Sequence, residues 1–353
     1  MIIQKSELSQ KIERIKSIVP KKSAVAAIQG ILLKDSYLIA TNHEITIRAR
    51  LKGAEGESFL IPQKAFDLIK NLPDGEMEIS AGVGNVISIK SESINNKFQS
   101  LSPEMFSIGS VPVNDRCYEM TVDSRKLKDC VKNVLYAVSK VSSGQKMGAL
   151  CIRCKDGYLH FAGMDGHMLA WDKLAFQGEK AELLIPREAA EKLLQLDFNG
   201  KVKVEHSQRS AVFTTEEYII ETRLIDGPYF QYEKVFDNMT IHTSADRKKI
   251  MDAINRAAMC IDHDSRMPIR LKFESDSVRV YLDAKNAEYS EMVFLDEPVE
   301  KPVLIAFDHR LLMETLKAFE TEKVHVDLLS GQHPLRMNAD GRELKAIVLP
   351  VSI

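Results

Sequence analysis

The sequence lacks the short motifs that mark common catalytic and nucleotide-binding sites. It contains no Gly-rich phosphate loop of the Walker type, no Gly-x-Ser-x-Gly nucleophile turn and no His-Glu-x-x-His zinc motif. We therefore expect no catalytic residue, no cofactor and no metal. A hydrolase built on Asp165 and His167 is disfavoured, because no nucleophile or second carboxylate accompanies them at a telling spacing.

Cysteine is scarce, and its number is odd. The five cysteines are Cys117, Cys130, Cys151, Cys154 and Cys260. They show no framework spacing, which is typical of a reducing cytoplasm. Cys151 and Cys154 form a Cys-x-x-Cys pair, but they lie in an alternating, strand-like stretch without a second pair, which disfavours a zinc or redox site. Asp262-His263-Asp264 is the one local cluster of potential ligands, and we interpret it as a loop.

Long apolar runs are missing as well. No run is long enough to span a bilayer, and the N-terminal stretch has no apolar core of the signal-peptide kind. We therefore expect a mature, cytoplasmic chain without a membrane partner. The composition, 44% hydrophobic and 28% charged with a formal net charge of −2, favours a globular fold and argues against a protein coated in positive charge. A local basic surface is compatible with net neutrality.

The most informative feature that is present is a segment that occurs three times. Its copies are Leu60–Leu72 (LIPQKAFDLIKNL), Leu184–Leu196 (LIPREAAEKLLQL) and Leu304–Leu316 (LIAFDHRLLMETL). They start 124 and 120 residues apart, which is about a third of the 353 residues and indicates a triplication. Each copy predicts a strand end followed by a helix. Pro62 and Pro186 open the helix in the first two copies, and Ala306 takes that place in the third.

A second helix pattern precedes each copy with an identical apolar spacing. Its apolar positions are Leu8, Ile12 and Ile15, then Leu127, Val131 and Val134, then Ile250, Ile254 and Ala257. Ser6 and Ser124 stand ahead of two of these helices as predicted N-caps. With the alternating runs between the helices, each third predicts two helices and about eight strands, an α+β unit. We predict three similar domains, residues 1–115, 116–238 and 239–353.

The first helix of each third carries an excess of positive charge. Over the three helices, twelve basic residues stand against five acidic ones. The basic residues are Lys5, Lys11, Arg14, Lys16, Arg125, Lys126, Lys128, Lys132, Arg247, Lys248, Lys249 and Arg256. A basic surface that recurs in every copy favours loose, sequence-independent contact with a phosphate backbone. The alternative is that each helix presents an ordinary solvated face.

Three further stretches resemble one family, the bacterial sliding clamp, which is the beta subunit of DNA polymerase III. They are Met164–Leu169 (MDGHML), Leu224–Gly227 (LIDG) leading to Tyr232 and Val235, and Val348–Ile353 (VLPVSI). The resemblance extends along the whole chain. It implies three clamp domains per chain and a head-to-tail homodimer that forms a six-domain ring around duplex DNA. It also implies a non-catalytic subunit that tethers the DNA polymerase III catalytic subunit, that a clamp loader places on DNA, and that binds other proteins with a clamp-binding motif.

The resemblance also indicates site residues. In the family, partners dock a short peptide into a pocket between the second and third domains. Here that pocket would be formed by Met164, Gly166, His167, Met168, Leu169, Phe230, Lys234, Val235, Pro334, Val348, Leu349, Pro350 and Val351. DNA contacts are expected at Lys22, Gln145 and Lys146 and, on the basic helices, at Arg125, Lys128, Lys132 and Lys248. The dimer contact would join Phe106 to Met259 and Cys260. For any single pocket residue, the alternative is an ordinary core or strand-end position.

Several positions depart from the family pattern. Met168 stands where a basic residue is frequent, Phe230 stands where a proline is common, and the chain ends in Leu-Pro-Val-Ser-Ile. We therefore predict a more apolar pocket with an altered peptide preference. The same departures leave open an alternative function, a clamp-like scaffold that binds partner proteins without encircling DNA.

Overall fold

The protein is an α+β chain in which helices and strands are distributed evenly over the three thirds. The structure, a computed structural model, describes residues 1–108, 118–141, 146–236, 239–262, 267–284 and 286–352, without the side chains of Lys234 and Phe236. In these ranges each third contains two α-helices and eight β-strands. The predicted α+β composition is therefore confirmed. No helix in these ranges is long and apolar enough to cross a membrane.

The element bounds follow the chain. The helices are α1 (Lys5–Ile15), α2 (Gln63–Asn71), α3 (Ser124–Leu135), α4 (Arg187–Gln195), α5 (Arg247–Ala258) and α6 (His309–Ala318). The strands of the first third are β1 (Ile2–Gln4), β2 (Gly30–Lys34), β3 (Tyr37–Thr41), β4 (Ile45–Arg50), β5 (Ser58–Pro62), β6 (Glu76–Ala81), β7 (Val86–Ser91) and β8 (Ile94–Gln99). Those of the second are β9 (Tyr118–Asp123), β10 (Ala149–Lys155), β11 (Tyr158–Met164), β12 (Met168–Ala175), β13 (Ala181–Pro186), β14 (Lys201–His206), β15 (Ser210–Thr214) and β16 (Tyr218–Arg223). Those of the last are β17 (Ile241–Asp246), β18 (Ile269–Phe273), β19 (Ser277–Ala284), β20 (Ala287–Phe294), β21 (Val303–Phe307), β22 (Lys323–Leu328), β23 (Leu335–Asn338) and β24 (Lys345–Val348).

The repeated segment forms a strand followed by a helix in all three copies. In the first two, the helix begins directly after Pro62 and Pro186, each the last residue of its strand. The third copy differs, because Ala306 lies inside β21 and α6 begins only after Asp308. The Asp308 carboxylate accepts a hydrogen bond from the amide of Arg310 at 2.9 Å, so an N-cap side chain sets the start of this helix instead of a proline.

The two predicted N-caps, Ser6 and Ser124, are wrong. Helix α1 begins at Lys5, so Ser6 lies inside it, and no side chain caps this end. Helix α3 is capped by Asp123, whose Oδ1 accepts from the amides of Arg125 and Lys126, both at 3.1 Å. A carboxylate in the last position of β9 reaches both amides, and Ser124 becomes the first helical residue.

The apolar triads of α1, α3 and α5 are all buried. Every one of their nine residues is at most 6% exposed. A stripe with helical spacing can bury only one side of a helix, so the opposite side of each of these helices is left for charged residues. The sequence spacing therefore predicted correctly which residues form this part of the core.

The contacts divide the chain into two compact units. The first comprises Met1–Leu127 and Glu191–Leu224. It contains a four-stranded sheet, ordered β1-β6-β7-β8, and an eight-stranded sheet, ordered β5-β2-β3-β4-β16-β15-β14-β9. The larger sheet is continuous because β4 pairs antiparallel with β16, with Ala49 opposite Tyr218. Strands from the first and second thirds of the chain thus share one sheet.

The second unit comprises Lys128–Ala190 and Ile225–Ile353. Its eight-stranded sheet has the order β13-β10-β11-β12-β24-β23-β22-β17, and its four-stranded sheet has the order β20-β19-β18-β21. Here β12 pairs antiparallel with β24, with Met168 opposite Val348. Each eight-stranded sheet therefore joins one third of the chain to the next. The predicted domain limits near residues 115 and 238 stay a prediction.

Helices of successive thirds also meet inside each unit. In the first unit, the Arg14 guanidinium of α1 bonds the Gln195 carbonyl of α4 at 3.0 Å and the Asp197 carboxylate at 2.7 Å. In the second unit, Lys132 of α3 pairs with Glu320, just after α6, at 2.7 Å. The end of one third's first helix thus lies against the second helix of the next third.

Candidate functional site

The Asp165-Gly166-His167 turn connects β11 to β12 and is held by its own aspartate. Oδ1 of Asp165 accepts hydrogen bonds from the amides of His167 at 2.8 Å and Met168 at 2.7 Å. Gly166 has a φ of +91°, a conformation that favours glycine. The carboxylate oxygen that acid–base chemistry would use is thus engaged in shaping a turn. This arrangement argues for a structural role of Asp165 and against the hydrolase hypothesis.

The C-terminal segment is fixed beside this turn. The Leu349 amide donates to the His167 carbonyl at 2.8 Å, and the Val351 amide donates to the Ala306 carbonyl at 2.9 Å. The first bond continues the pairing of β24 with β12 past the end of the strand, and the second ties the segment to β21 of the four-stranded sheet. Leu349 and Val351 each keep 37% of their surface exposed. The two bonds therefore hold a segment with two partly exposed apolar side chains, and Leu349 lies beside the turn.

The predicted pocket residues divide between the two faces of the sheet. Met168 and Val348 are 4% and 1% exposed, and the Met168 sulfur lies 3.7 Å from the Thr315 hydroxyl of α6. Because successive strand residues point to opposite faces, Leu169 and Ile347 face away from α6. Met168 and Val348 therefore support the predicted pocket from the helix side, and their side chains do not line the face on which Leu169 lies.

The face with Leu169 carries one apolar cluster. Met164, Leu169, Val235 and Ile347 pack in it together with Tyr229 and Tyr232. We call the first four residues the apolar patch. Three of them were predicted from the family resemblance, and Ile347 was missed. The signal for Ile347 was present in the sequence, because strand alternation places it on the face opposite to that of Val348.

Other predicted pocket residues lie around the apolar patch. Phe230 is 50% exposed and follows Tyr229 of the cluster. Pro334 directly precedes β23, whose Leu335 lies opposite Val348. Gly166 lies next to a residue that sequence reasoning missed, since a β-carbon built on Gly166 would be 3.7 Å from the sulfur of Met147. Lys234 belongs to the same segment, but its side chain lies outside the described part.

The segment that leads to Val235 is tied to the sheet by ion pairs. Arg153 on β10 bonds Glu182 at 2.7 Å and Glu233 at 2.8 Å. Glu182 in turn accepts from the Tyr229 amide at 2.9 Å. Burial raises the pKa of the Tyr232 hydroxyl, so this tyrosine stays protonated where it packs against the sheet. These contacts hold the segment from Tyr229 to Val235 against the sheet, and this segment contributes Val235 to the apolar patch.

The Cys-x-x-Cys pair is embedded in the same sheet. Cys151 and Cys154 are 0% and 3% exposed, and their odd separation along β10 places them on opposite faces. Burial raises the pKa of the Cys151 thiol, which disfavours a reactive thiolate. Among the described residues, no group of three His, Cys, Asp or Glu side chains could hold a metal ion. His263 and Asp264 of the second ligand cluster lie outside the described residues.

The predicted DNA-contacting residues differ in how available their charges are. Lys22, Lys146, Arg125 and Lys248 are exposed. In the part of the chain that the structure describes, none of these four forms an ion pair. Lys132 is held by Glu320, Lys128 is half-buried, and Gln145 lies outside the described residues. The available positive charge on α3 and α5 is thus concentrated at their first turns.

The three predicted dimer residues also differ. Met259 is 75% exposed at the end of α5, and Cys260 beside it is partly exposed. Phe106 is only 8% exposed, because it packs against Ile28, Leu60 and other residues of its own unit. Little of the Phe106 side chain is left for a partner chain, whereas the adjacent Met105 keeps 56% of its surface exposed.

Repeated helix pairs packed on antiparallel sheets define a protein built from repeats. Comparison with known proteins places it in a family. The sequence model of the DNA polymerase III beta subunit central domain matches residues 121–231, and that of the C-terminal domain matches residues 236–352. Together they cover more than half of the chain. The chain belongs to the DNA polymerase III beta subunit family.

Individual relatives agree with this assignment over the full length. The beta sliding clamp of Chlamydia muridarum is 20% identical over 369 residues, covering 100% of this chain and 98% of the relative. The crystal structure of the DNA polymerase III beta subunit from Thermotoga maritima matches with a TM-score of 0.90 at 20% identity, covering 100% of this chain and 99% of the other. A Pseudomonas aeruginosa sliding clamp bound to griselimycin matches with a TM-score of 0.92 at 20% identity and the same coverage.

Proposed function

We propose that two copies of this chain join head to tail into a closed ring around duplex DNA. The observation that carries the proposal is a strand pairing between thirds that occurs twice within the chain and could occur a third time only between two chains. Within the chain, β4 of the first third pairs with β16 of the second, and β12 of the second pairs with β24 of the last. The equivalent strands left over are β20 and β8, each at one end of a four-stranded sheet. A third strand pairing of the same kind would join β20 of one chain to β8 of its partner.

The side chains on these two edges are complementary. Strand β20 carries the exposed Glu288, whereas β8 carries Lys97 and no acidic residue; the second glutamate of β20, Glu291, is already paired with Arg256. Met292 and Phe294 on β20 are 56% and 72% exposed, a large apolar surface for a free sheet edge. A contact between two different edges closes into a ring when its rotation permits, and two chains of three repeats suit near-sixfold closure.

The helices support the same joint. The contacts of α1 with α4 and of α3 with the end of α6 repeat from one third to the next. If this helix contact is repeated between two chains, the end of α5 lies against α2 of the partner chain. Met259 stands at that end with 75% of its surface exposed, as expected for a residue whose covering helix belongs to another chain.

As a member of the sliding clamp family, the protein acts in DNA replication and is not itself an enzyme. A ring retains DNA by topology, so weak and salt-sensitive phosphate contacts are sufficient. Lys22, Lys146, Arg125 and Lys248 are the available charges for such contacts. The DNA polymerase III catalytic subunit, a clamp loader and other partners would dock a peptide on the apolar patch, in the cytoplasm.

Retention on DNA tests the ring directly. The protein would be loaded on a nicked circular plasmid with a clamp loader and ATP, separated by gel filtration, and examined again after the plasmid is linearised. We expect the protein to stay on the circle and to be lost from free ends. Equal retention before and after linearisation would mean direct binding and would refute the ring.

A second candidate is a clamp-like scaffold that binds proteins but does not encircle DNA. One observation favours it: six of the twelve basic residues on α1, α3, α5 and their ends are neutralised by carboxylates of the same chain. These residues are Lys5, Lys11, Arg14, Lys16, Lys132 and Arg256. Failure of retention with a loader that works on a known clamp would support the scaffold.

A further inference from the structure

The apolar patch continues into a second row of side chains on the same face of its sheet. Leu169 lies opposite Ile347, and two residues further along the same strands Trp171 lies opposite Lys345. Residues that are directly opposite in an antiparallel pair share a face, and so do residues two apart in a strand. The step from the first row to the second is about 7 Å, the length of two residues in a strand.

The second row is an ordered aromatic surface. The Trp171 indole stacks on His160 with ring centroids 5.8 Å apart and an interplanar angle of 8°. Its Nε1–H donates to His160 Nδ1 at 3.1 Å. Burial lowers the pKa of His160, so this ring stays neutral and accepts at Nδ1 at neutral pH. Trp171 is the only tryptophan in the sequence.

The cation of this row is Lys345, and its ammonium group contacts the Trp171 ring. The Lys345 ammonium lies 5.2 Å from the centre of the Trp171 ring. Within the described ranges, Lys345 forms no ion pair. Its neighbours do: Lys173 pairs with Glu343 at 3.3 Å, and Arg153 pairs with Glu182 and Glu233. Of these three cations, Lys345 is therefore the one without a carboxylate partner in the part of the chain that the structure describes.

We propose that the row of Trp171 and Lys345 is an extension of the peptide site, and that it binds an acidic residue flanking the apolar anchors of the partner peptide. The inference rests on the proposed function of the apolar patch. It is supported by the continuity of the row with the patch and by the unbalanced charge of Lys345. The carboxylate would lie about two residues beyond an anchor that contacts the apolar patch, given the strand repeat.

The geometry explains why an acidic residue fits this position. A carboxylate at Lys345 forms a charge-assisted contact beside an aromatic surface that excludes part of the water. The apolar carbons of a glutamate side chain would cover the indole edge while its carboxylate reaches the ammonium. A basic flank would meet Lys345 and would be repelled.

Peptides of about ten residues with an apolar core of three leucines test the inference. One peptide carries glutamate two positions before the core, a second carries it two positions after, and the control carries glutamine at both. Binding is followed by calorimetry and through the fluorescence of Trp171, which packs against the apolar cluster. We expect one glutamate peptide to bind about fourfold tighter than the glutamine peptide at low salt, as for a half-exposed ion pair.

Variants separate this contact from general electrostatic attraction. Lys345→Gln should bring the affinities of the glutamate and glutamine peptides within about twofold of each other. Lys180→Gln, an exposed lysine before β13, should leave the preference unchanged. The unfolding midpoint of Lys345→Gln should equal that of the parent protein.

The outcomes are distinct. An equal glutamate preference in the parent protein and in Lys345→Gln, or none in the parent protein, would overturn the inference while the apolar patch remains a peptide site. Failure of all three peptides to bind the parent protein would overturn the proposed peptide site and the inference with it.

Discussion

Replacing Met259 by alanine is expected to weaken the proposed ring by a calculable amount. Full burial of a methionine side chain contributes about 1.5–3 kcal/mol. Met259 leaves 75% of its surface exposed in the single chain. About 1–2 kcal/mol per contact can therefore be gained when a partner helix covers it. A two-chain ring has two such contacts, so the dimer should lose about 2–4 kcal/mol, a rise of about 30- to 1000-fold in its dissociation constant.

Sedimentation velocity over a concentration series measures this constant. The matched control is Ile2→Ala, because Ile2 is 71% exposed but lies on β1, the edge of its four-stranded sheet opposite to β8. We expect the control to dissociate like the parent protein. A Met259→Ala variant that dimerises as tightly as the parent, or a control that weakens the dimer equally, would show that the end of α5 is not at the chain contact.

Three further outcomes are expected. Lys22→Ala combined with Lys146→Ala should lower DNA affinity, more at low salt, and should reduce the slope of log affinity against log salt by up to about two, measured by fluorescence anisotropy. Gly163→Ala should destabilise the protein by about 1–3 kcal/mol in urea unfolding, because a β-carbon there would lie 2.5 Å from a backbone oxygen of α3. Glu217→Gln should destabilise the protein at pH 7 but much less near pH 3. The hydrogen bond from Lys11 holds the pKa of Glu217 below its usual value, so the stabilisation is present above that value and is lost as the pH falls through the lowered pKa.

Each of these outcomes has a control. Lys180→Ala should not change DNA affinity, since Lys180 lies in none of the predicted DNA contacts, and a salt-independent defect of the double variant would contradict the electrostatic interpretation. Gly82→Ala should be tolerated, because a β-carbon there meets only ordinary contact at 3.6 Å. A stability difference between Glu217→Gln and the parent that stays constant from pH 7 to pH 3 would mean that the carboxylate charge is not involved.

Local side-chain patterns were sufficient for the elements and for much of the core. The triads of α1, α3 and α5 were placed correctly, because a stripe with helical spacing has only one side to bury. The alternating runs between the helices form strands, as predicted. The helix starts were less predictable. Asp123 caps α3 where Ser124 was expected, and α6 begins after Asp308 although Ala306 was expected to stand at its start, because several nearby side chains can satisfy the same free amides.

The candidate site was only partly predictable. Met164, Leu169 and Val235 were identified through family resemblance, and the structure brings them into one cluster. Ile347 was missed, and Met168 and Val348 lie on the helix side of the sheet. Which face of a strand points to solvent depends on the register of β12 against β24, which are far apart in the sequence.

The amino-acid sequence by itself determined the triplication, the α+β class, the buried stripes and the family, because each of these can be recognised from the order of residues along the chain without knowing which segments pair. Only the tertiary structure decided which strands share a sheet, since pairs such as β4 with β16 and β12 with β24 join residues more than a hundred positions apart. It also decided the state of the charges. Twelve basic residues on or next to three helices looked equivalent in the sequence, but ion pairs with carboxylates neutralise half of them, and five of these six carboxylates are distant in the sequence. Long-range pairing of strands and of charges is a property of the folded chain, and no local pattern encodes it.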